Sequence, residues 1–384
     1  MPVPLPTAET VNLVPPDAAE TQMIADGVAS AASGRDGLLP VQRAILVALL
    51  PAMTGHPVTL TDRPTVTARQ FAEALARREL GFRARMVQSM LLCALVRHPL
   101  PDDVADSVAA YASEMGVHDG MVDVARKFAA GSLGLAAFDF ARNGYEGAWN
   151  EQEASAAVHS TRVLQEAWEV SAADPGLAAR WSSLEHLPPD SLGRKVWELY
   201  QARGFTFPGT PGSAPPLLAQ HDWVHVLADY GTTVEAEVEV FGLIARANDD
   251  MRAFSLLAMV ISLFETGYLA TGAGLFEASP GHLSASPTMA VRLADAMRRG
   301  ALCHDRETGS DSIDFLRMDW FAVADRTCED VRARVGLVPK SEEAVAAGSV
   351  GPWGPGGISP FQMNAGRQLA DARGLPYDAH GASV

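Results

Sequence analysis

The sequence predicts an all-α protein of two helical bundles, the second built around a helix–turn–helix metal site. Three observations carry that expectation. From Pro40 onward apolar residues recur three to four positions apart, the spacing of one helix face, while alternating strand patterns are lacking; residues 55–66 could hold a short extended stretch. The helix-length segments are joined by short turns containing Pro and Gly, as in a compact bundle. At 221–237 the chain reads HDWVHVLADYGTTVEAE, with two histidines four apart and a glutamate after eleven further residues.

In chain order, residues 1–38 are rich in Pro, Ala, Thr and Asp with little periodicity, and are expected to be loose. Helical patterns follow over 41–50, stopped near Pro51, and over 65–78, 81–97, 102–115, 121–141 and 152–170. Together they make a helical accessory or interaction domain over 39–172. Within it His118 precedes Asp119 in a turn and lacks a second histidine at helical spacing, so an ordinary polar turn is the reading there. The periodicity breaks at Ala172–Gly176, which marks a domain boundary. A second helical domain then runs over 175–340. It opens with a helix over 191–205 ended by a glycine, and a Pro/Gly-rich loop at 207–216 leads into the histidine helix. The apolar segment 251–270 is either the core helix of this domain or the lining of an apolar pocket. A helix over 292–299 ends at Arg298-Arg299-Gly300, a polar loop follows at 310–312, and Thr327–Val335 forms a last short helix. Residues 341–384 are a Gly/Pro-rich tail that wraps the surface or stays disordered.

The histidine stretch has the chemistry of a metal site. Residues four apart share a helix face, so His221 and His225 can address one ion. Two imidazoles with one or two carboxylates are a ligand set that zinc or non-haem iron accepts. Along one unbroken helix Glu237 would lie roughly 18 Å from His225, too far to share that ion. A break is therefore required, and Tyr230-Gly231 supplies a helix end, with Thr232 and Glu235 forming a capping-box pattern for a second helix folded back on the first. On that helix Val234, Val238, Phe241, Ile244 and Ala245 make the apolar stripe; Glu237 falls within it, whereas Glu235 and Glu239 fall outside. A carboxylate on a buried face needs a cation or donors. On the first helix Leu217, Leu218, His221, Val224, His225 and Ala228 share one side, with Asp222 at its edge. Taken singly, each of these polar residues could be a satisfied core residue; together they point to a metal.

Composition narrows the partners. The net charge is −16, Lys occurs only at 127, 195 and 340, and the arginines form no basic block. Nucleic acid is excluded as a partner on that ground, as is strong attraction to an anionic membrane surface. Cys93, Cys303 and Cys328 have no paired spacing, so neither a disulfide framework nor a thiolate zinc site is expected. The N-terminus lacks the basic start and apolar core of a signal peptide, and the apolar run near Ala253–Phe264 is too short to span a bilayer. A cytoplasmic location is the expectation.

The motif His221-Asp222-x-x-His225, eleven residues, then Glu237 resembles the signature of the coenzyme Q biosynthesis family that is fourth in the COQ series. Leu192-Gly193-Arg194 with Gly204-Phe205, and then Arg298-Arg299-Gly300, Asp319-Trp320 and Val331-Arg332 before Gly336, resemble that family's flanking sequence, so the likeness covers about residues 180–340. The resemblance implies an all-helical domain binding Zn2+, Fe2+ or another divalent metal through His221, Asp222, His225 and Glu237. It also implies a polyprenyl quinone precursor or another apolar lipid as partner, ubiquinone biosynthesis with removal of the ring carboxylate at C1 and its replacement by hydroxyl, and placement peripheral to the inner face of the membrane. Partners in a biosynthetic complex and a homodimer are further expectations. The N-terminal helices resemble TerB-type tellurite-resistance domains in general pattern only, and the tail lies outside the family's core.

Two functional readings follow, a metal-dependent enzyme acting on a prenylated aromatic ring and a non-catalytic lipid-binding scaffold with a structural metal. A hydrolase is a weaker third: His-Asp-x-x-His resembles the zincin motif, but the zincin general base is a Glu where this chain has Asp222. A metal phosphohydrolase would need an upstream histidine, for which His186 is a poor candidate.

Overall fold

The computed structural model describes residues 15–61, 64–95, 97, 101–117, 173–211, 213, 216, 219–248, 257 and 288–384. Among them every extended regular element is helical and no strand forms, so the all-α expectation holds; residues 55–61 and 64–66 are irregular chain. The expected helices at 121–141 and 152–170, the turn at His118, Leu217 and Leu218, and all of the apolar segment 251–270 but Leu257 lie outside the described residues.

Helix α1, Ala18–Ala32, occupies the segment expected to be loose. Asp17 caps it by accepting from the Glu20 amide, 2.8 Å, and Ile24 and Val28 one turn apart are fully buried. Its alanine-rich stripe offers little apolar contrast to a periodicity reading, although alanine is the strongest helix former. Helix α2, Pro40–Thr54, runs through Pro51 to a left-handed Gly55 instead of stopping. The bond that Pro51 cannot donate would have gone to the carbonyl of Val47, an exposed residue of the same helix, so the helix loses little there. Helices α3 (Ala68–Ala74), α4 (Leu80–Leu95) and α5 (Asp102–Glu114) complete this part. Gln42 of α2, fully buried, ties three of them: its amide donates to the carbonyls of Ala32 and Cys93 at 2.9 and 2.7 Å while its oxygen accepts from Leu39 N and Arg97 Nε.

Helices α6 (Pro175–Ser182) and α7 (Leu192–Arg203) follow, and α7 ends at a left-handed Gly204 as its sequence indicates. Next come α8 (Gln220–Ala228), α9 (Val234–Ala247), α10 (Met289–Leu302), α11 (Cys328–Arg334), α12 (Glu342–Ala346) and α13 (Pro360–Ala372). Helix α10 packs along both α9 and α2. Gly300, expected to end α10, lies inside it. A Cβ there would sit 2.4 Å from the carbonyl oxygen of Leu243, so the glycine serves the close approach of α10 to α9 and not a helix stop. One apolar cluster runs from Ile24 and Ile45 through Met90 to Val224, Ile244, Leu293 and Trp320.

The tail wraps. Helix α13 packs on α7, and Ala202, Ile358, Met363 and Ala382 form a small apolar cluster of their own. All three cysteines are free thiols, and burial pushes the Cys303 thiol up to about 12. No helix among the described residues is long and apolar enough to cross a membrane.

Candidate metal centre

Helices α8 and α9 meet through a turn at 229–233, and the turn differs from its expected form. The left-handed residue is Asp229 (φ 61°), and α9 starts from Thr233 as N-cap with no side-chain cap bond. The expected capping box of Thr232 and Glu235 does not form, because the Thr232 hydroxyl is taken by Gln362 Oε1 at 2.8 Å and by Arg203 Nε at 2.5 Å. Tertiary partners outcompete the local one. Gly231 serves a close approach: a Cβ there would lie 2.7 Å from Gly357 Cα.

The C-terminal end of α8 is buried, so its last carbonyls need protein donors. Three cations from distant positions supply them. Arg332 donates to Leu227 O (2.6 Å) and Val226 O (3.4 Å), Arg299 to Ala228 O (2.9 Å), and Lys340 to Asp229 O (2.6 Å). Positive charge at a helix C-terminus is also favoured by the helix dipole. On its other side α8 is held by aromatic rings. Trp223 stacks on Trp320 with centroids 5.8 Å apart and leans on Trp181 at 5.5 Å. The helix cannot rotate without breaking one set or the other.

Held this way, α8 and α9 bring together the residues that the sequence singled out. His221, His225 and Glu237 are buried and offer ligand atoms all within 4.8 Å of one another. Glu237 Oε1 lies 3.1 Å from His225 Nε2, and Glu237 Oε2 lies 3.4 Å from His221 Nε2. Ligand atoms about 2.1 Å from one ion at tetrahedral angles would stand roughly 3.4 Å apart, so the spacing suits a shared cation. Asp222 is beside them, with Oδ1 3.4 Å from His221 Nε2, while its Oδ2 accepts a 2.5 Å bond from the Tyr200 hydroxyl. His186 is exposed on a short 3-10 turn and takes no part.

The protonation pattern makes the strongest case. His225 Nδ1 lies 2.6 Å from the carbonyl oxygen of Gly231, and a carbonyl can only accept, so Nδ1 carries the proton. In the neutral ring Nε2 then presents a lone pair. That lone pair faces a carboxylate oxygen 3.1 Å away, and Nε2 is buried with no aligned hydrogen bond. Two acceptors so close repel unless a proton on Nε2 or a metal ion lies between them. The donor set fits a divalent metal ion.

Charge in the site is divided between its carboxylates. Burial opposes ionisation of Glu237, but positive charge and donated hydrogen bonds at His225 and His221 outweigh it and hold the carboxyl well below the usual carboxylate range, as a cation placed between them would. Burial pushes the Asp222 carboxyl up, against the pull of the histidines and of the Tyr200 bond.

Helix phase separated Glu237 from its neighbours, but Glu239 is not on a wet face. It is fully buried, and its Oε2 accepts a 2.6 Å bond from Arg292 of α10. Helix α9 is covered on more than one side, which a single apolar stripe did not reveal. Tyr200 and the three capping cations were also missed. A signal for Tyr200 existed, a hydroxyl-bearing ring one turn after Val196 on a buried face; Arg299 and Arg332 stand in the flanking stretches already singled out, but nothing local assigns them or Lys340 to the end of α8.

Comparison with protein-family models, with curated proteins and with solved structures gives no match.

Proposed function

We propose that this chain is a divalent-metal protein whose ion is held by His221, His225 and Glu237, and that it acts on a prenylated aromatic or quinone ring, as the family that its motif resembles does. The observation that carries the metal part is the buried convergence of His221, His225 and Glu237, with His225 Nε2 3.1 Å from the Glu237 carboxylate and Nδ1 committed to Gly231. The substrate part is supported by the spacing of the motif and its flanking sequence alone.

The residues divide the work as follows. His225 and His221 supply neutral nitrogen donors, and Glu237 supplies the charged one. Tyr200 holds Asp222 Oδ2, which keeps that carboxylate beside His221 as its hydrogen-bond or ligand neighbour. A bound ion supplies Lewis acidity toward a phenolate or carboxylate oxygen of the substrate, and zinc serves that purpose as well as iron does; an oxygen-consuming step requires iron.

The scaffold reading has one observation in its favour. The donor residues are 5% exposed or less, and Asp222 is within reach as a fourth ligand, which would close a tetrahedral shell and make the ion a staple between α8 and α9. The deciding experiment uses purified protein, metal-stripped and then reloaded with zinc or iron(II), incubated aerobically with a polyprenyl 4-hydroxybenzoate derivative. Mass spectrometry would show loss of the ring carboxylate in the reloaded sample only. Metal-independent lipid binding without turnover under either ion would sink the enzyme reading and favour the scaffold.

A further inference from the structure

The C-terminal tail reaches the metal ligands through the backbone of the turn between their helices. The Gly231 amide donates to Val350 O (2.9 Å), and the Thr232 amide donates to Gly357 O (2.9 Å). Gln362, at the start of α13, donates to Thr232 O (2.7 Å) while accepting from the Thr232 hydroxyl (2.8 Å). Arg203, at the end of α7, is fully buried and ties the turn and the tail together. Its Nε donates to the Thr232 hydroxyl, and its Nη2 donates to Pro352 O (2.7 Å) and Gly357 O (3.0 Å). Segment 350–357 is thus laid along the turn as a backbone clamp; Gly231 has no room for a Cβ against Gly357, and Gly357 has none against Gly351.

One peptide group links this clamp to the site. In the Gly231–Thr232 peptide the Thr232 amide is held by Gly357 O at 2.9 Å, and the Gly231 carbonyl oxygen is the acceptor for His225 Nδ1 at 2.6 Å. The orientation of that carbonyl decides which imidazole nitrogen keeps the proton and which turns toward Glu237. Residue 231 cannot set it alone, because a glycine backbone has several accessible orientations.

We propose that segment 350–357, anchored by Arg203 and Gln362, is a positioning element for His225: it fixes the Gly231 carbonyl and through it the Nδ1-protonated tautomer that leaves Nε2 free to bind the ion. The proposal rests on the metal reading for its purpose but not for its test. Arg203 and Gln362 are positioning residues and touch neither ion nor substrate. A tail that to a sequence reading is a surface wrap becomes part of the second layer around the metal.

The test uses full-length protein labelled with [15N]histidine. Two-bond 1H–15N correlation spectra are recorded on metal-free protein about 1.5 units above the ordinary histidine value of ~6.5. The His225 signals are identified by their absence in His225→Gln. Wild type is expected to show His225 as the Nδ1–H tautomer. In Arg203→Met the Nε2–H tautomer should appear, and Zn2+ affinity should fall about 10- to 100-fold, the usual effect of losing an outer partner of a ligand. Arg203→Lys should restore part of both, which a merely structural role would not predict. Gln362→Leu makes a smaller cut in the same clamp and serves if Arg203→Met fails to fold. A wild-type His225 in the Nε2–H form would overturn the proposal even if no variant folded. So would a folded variant that keeps the Nδ1–H form and wild-type zinc affinity. A wild type that binds no zinc at all would refute the metal reading instead, and the tautomer would still decide this proposal.

Discussion

Replacing Glu237 by Gln removes one negative ligand of three and keeps the shape of the side chain. Losing an outer partner of a ligand weakens metal binding about 10- to 100-fold, and losing a ligand whose oxygens lie 3.1 and 3.4 Å from both imidazoles should cost at least the upper end of that range. The consequence can be read as heat stability. An ion present at 100 times its dissociation constant stabilises the native state by about 2.7 kcal/mol. With an unfolding entropy of about 2.1 cal/mol/K per residue, 384 residues give about 1.2 °C per kcal/mol, so wild type should gain roughly 3 °C on addition of zinc. At the same zinc concentration a hundredfold weaker variant gains only RT ln 2, about 0.4 kcal/mol, or roughly 0.5 °C. Each protein is compared with its own metal-free form by scanning calorimetry, so that any change in the apo protein drops out, and bound metal is counted by elemental analysis. A Glu237→Gln protein with the full wild-type shift and stoichiometric metal would refute the assignment of that ligand.

The other predictions probe the frame around the site. Glu239→Gln should leave zinc stoichiometry unchanged yet destabilise the protein by about 3–5 kcal/mol in urea titrations, because it strands the buried Arg292 guanidinium. Equal loss of metal in this variant and in Glu237→Gln would show that the two carboxylates had been separated wrongly. Tyr200→Phe should weaken zinc in a chelator competition by about 10- to 100-fold, since it frees Asp222 Oδ2; an unchanged constant would place Asp222 outside the site's influence. Gly300→Ala pushes a Cβ to 2.4 Å from Leu243 O and should lower stability by about 1–3 kcal/mol or more, whereas an ordinary helix position would gain from alanine. A rise in melting temperature in that variant would contradict the close packing of α9 on α10.

Local chemistry made much of this protein legible. The 3.6-residue periodicity placed α2, α4, α5, α7, α9 and α10 to within a few residues, and glycine ended α7 where expected. It failed where tertiary forces override the local rule. Pro51 did not stop α2, Gly300 did not stop α10, and the alanine-rich α1 was hidden by its low contrast. The turn between the metal helices was seen, but its left-handed residue is Asp229 and its cap is Thr233, since Thr232 is claimed by Arg203 and Gln362.

The sequence by itself determined that two histidines one turn apart and one glutamate across a turn would face the same point, because helix pitch and the cost of burying a lone carboxylate leave few other arrangements. Tertiary structure alone decided how that point is held. Arg299, Arg332 and Lys340 cap the histidine helix from about 70 to 110 residues away in the chain, and the tail at 350–357 meets the turn backbone to backbone. Such contacts leave no periodic trace, because a donor to a main-chain carbonyl can come from any residue that the fold brings within reach.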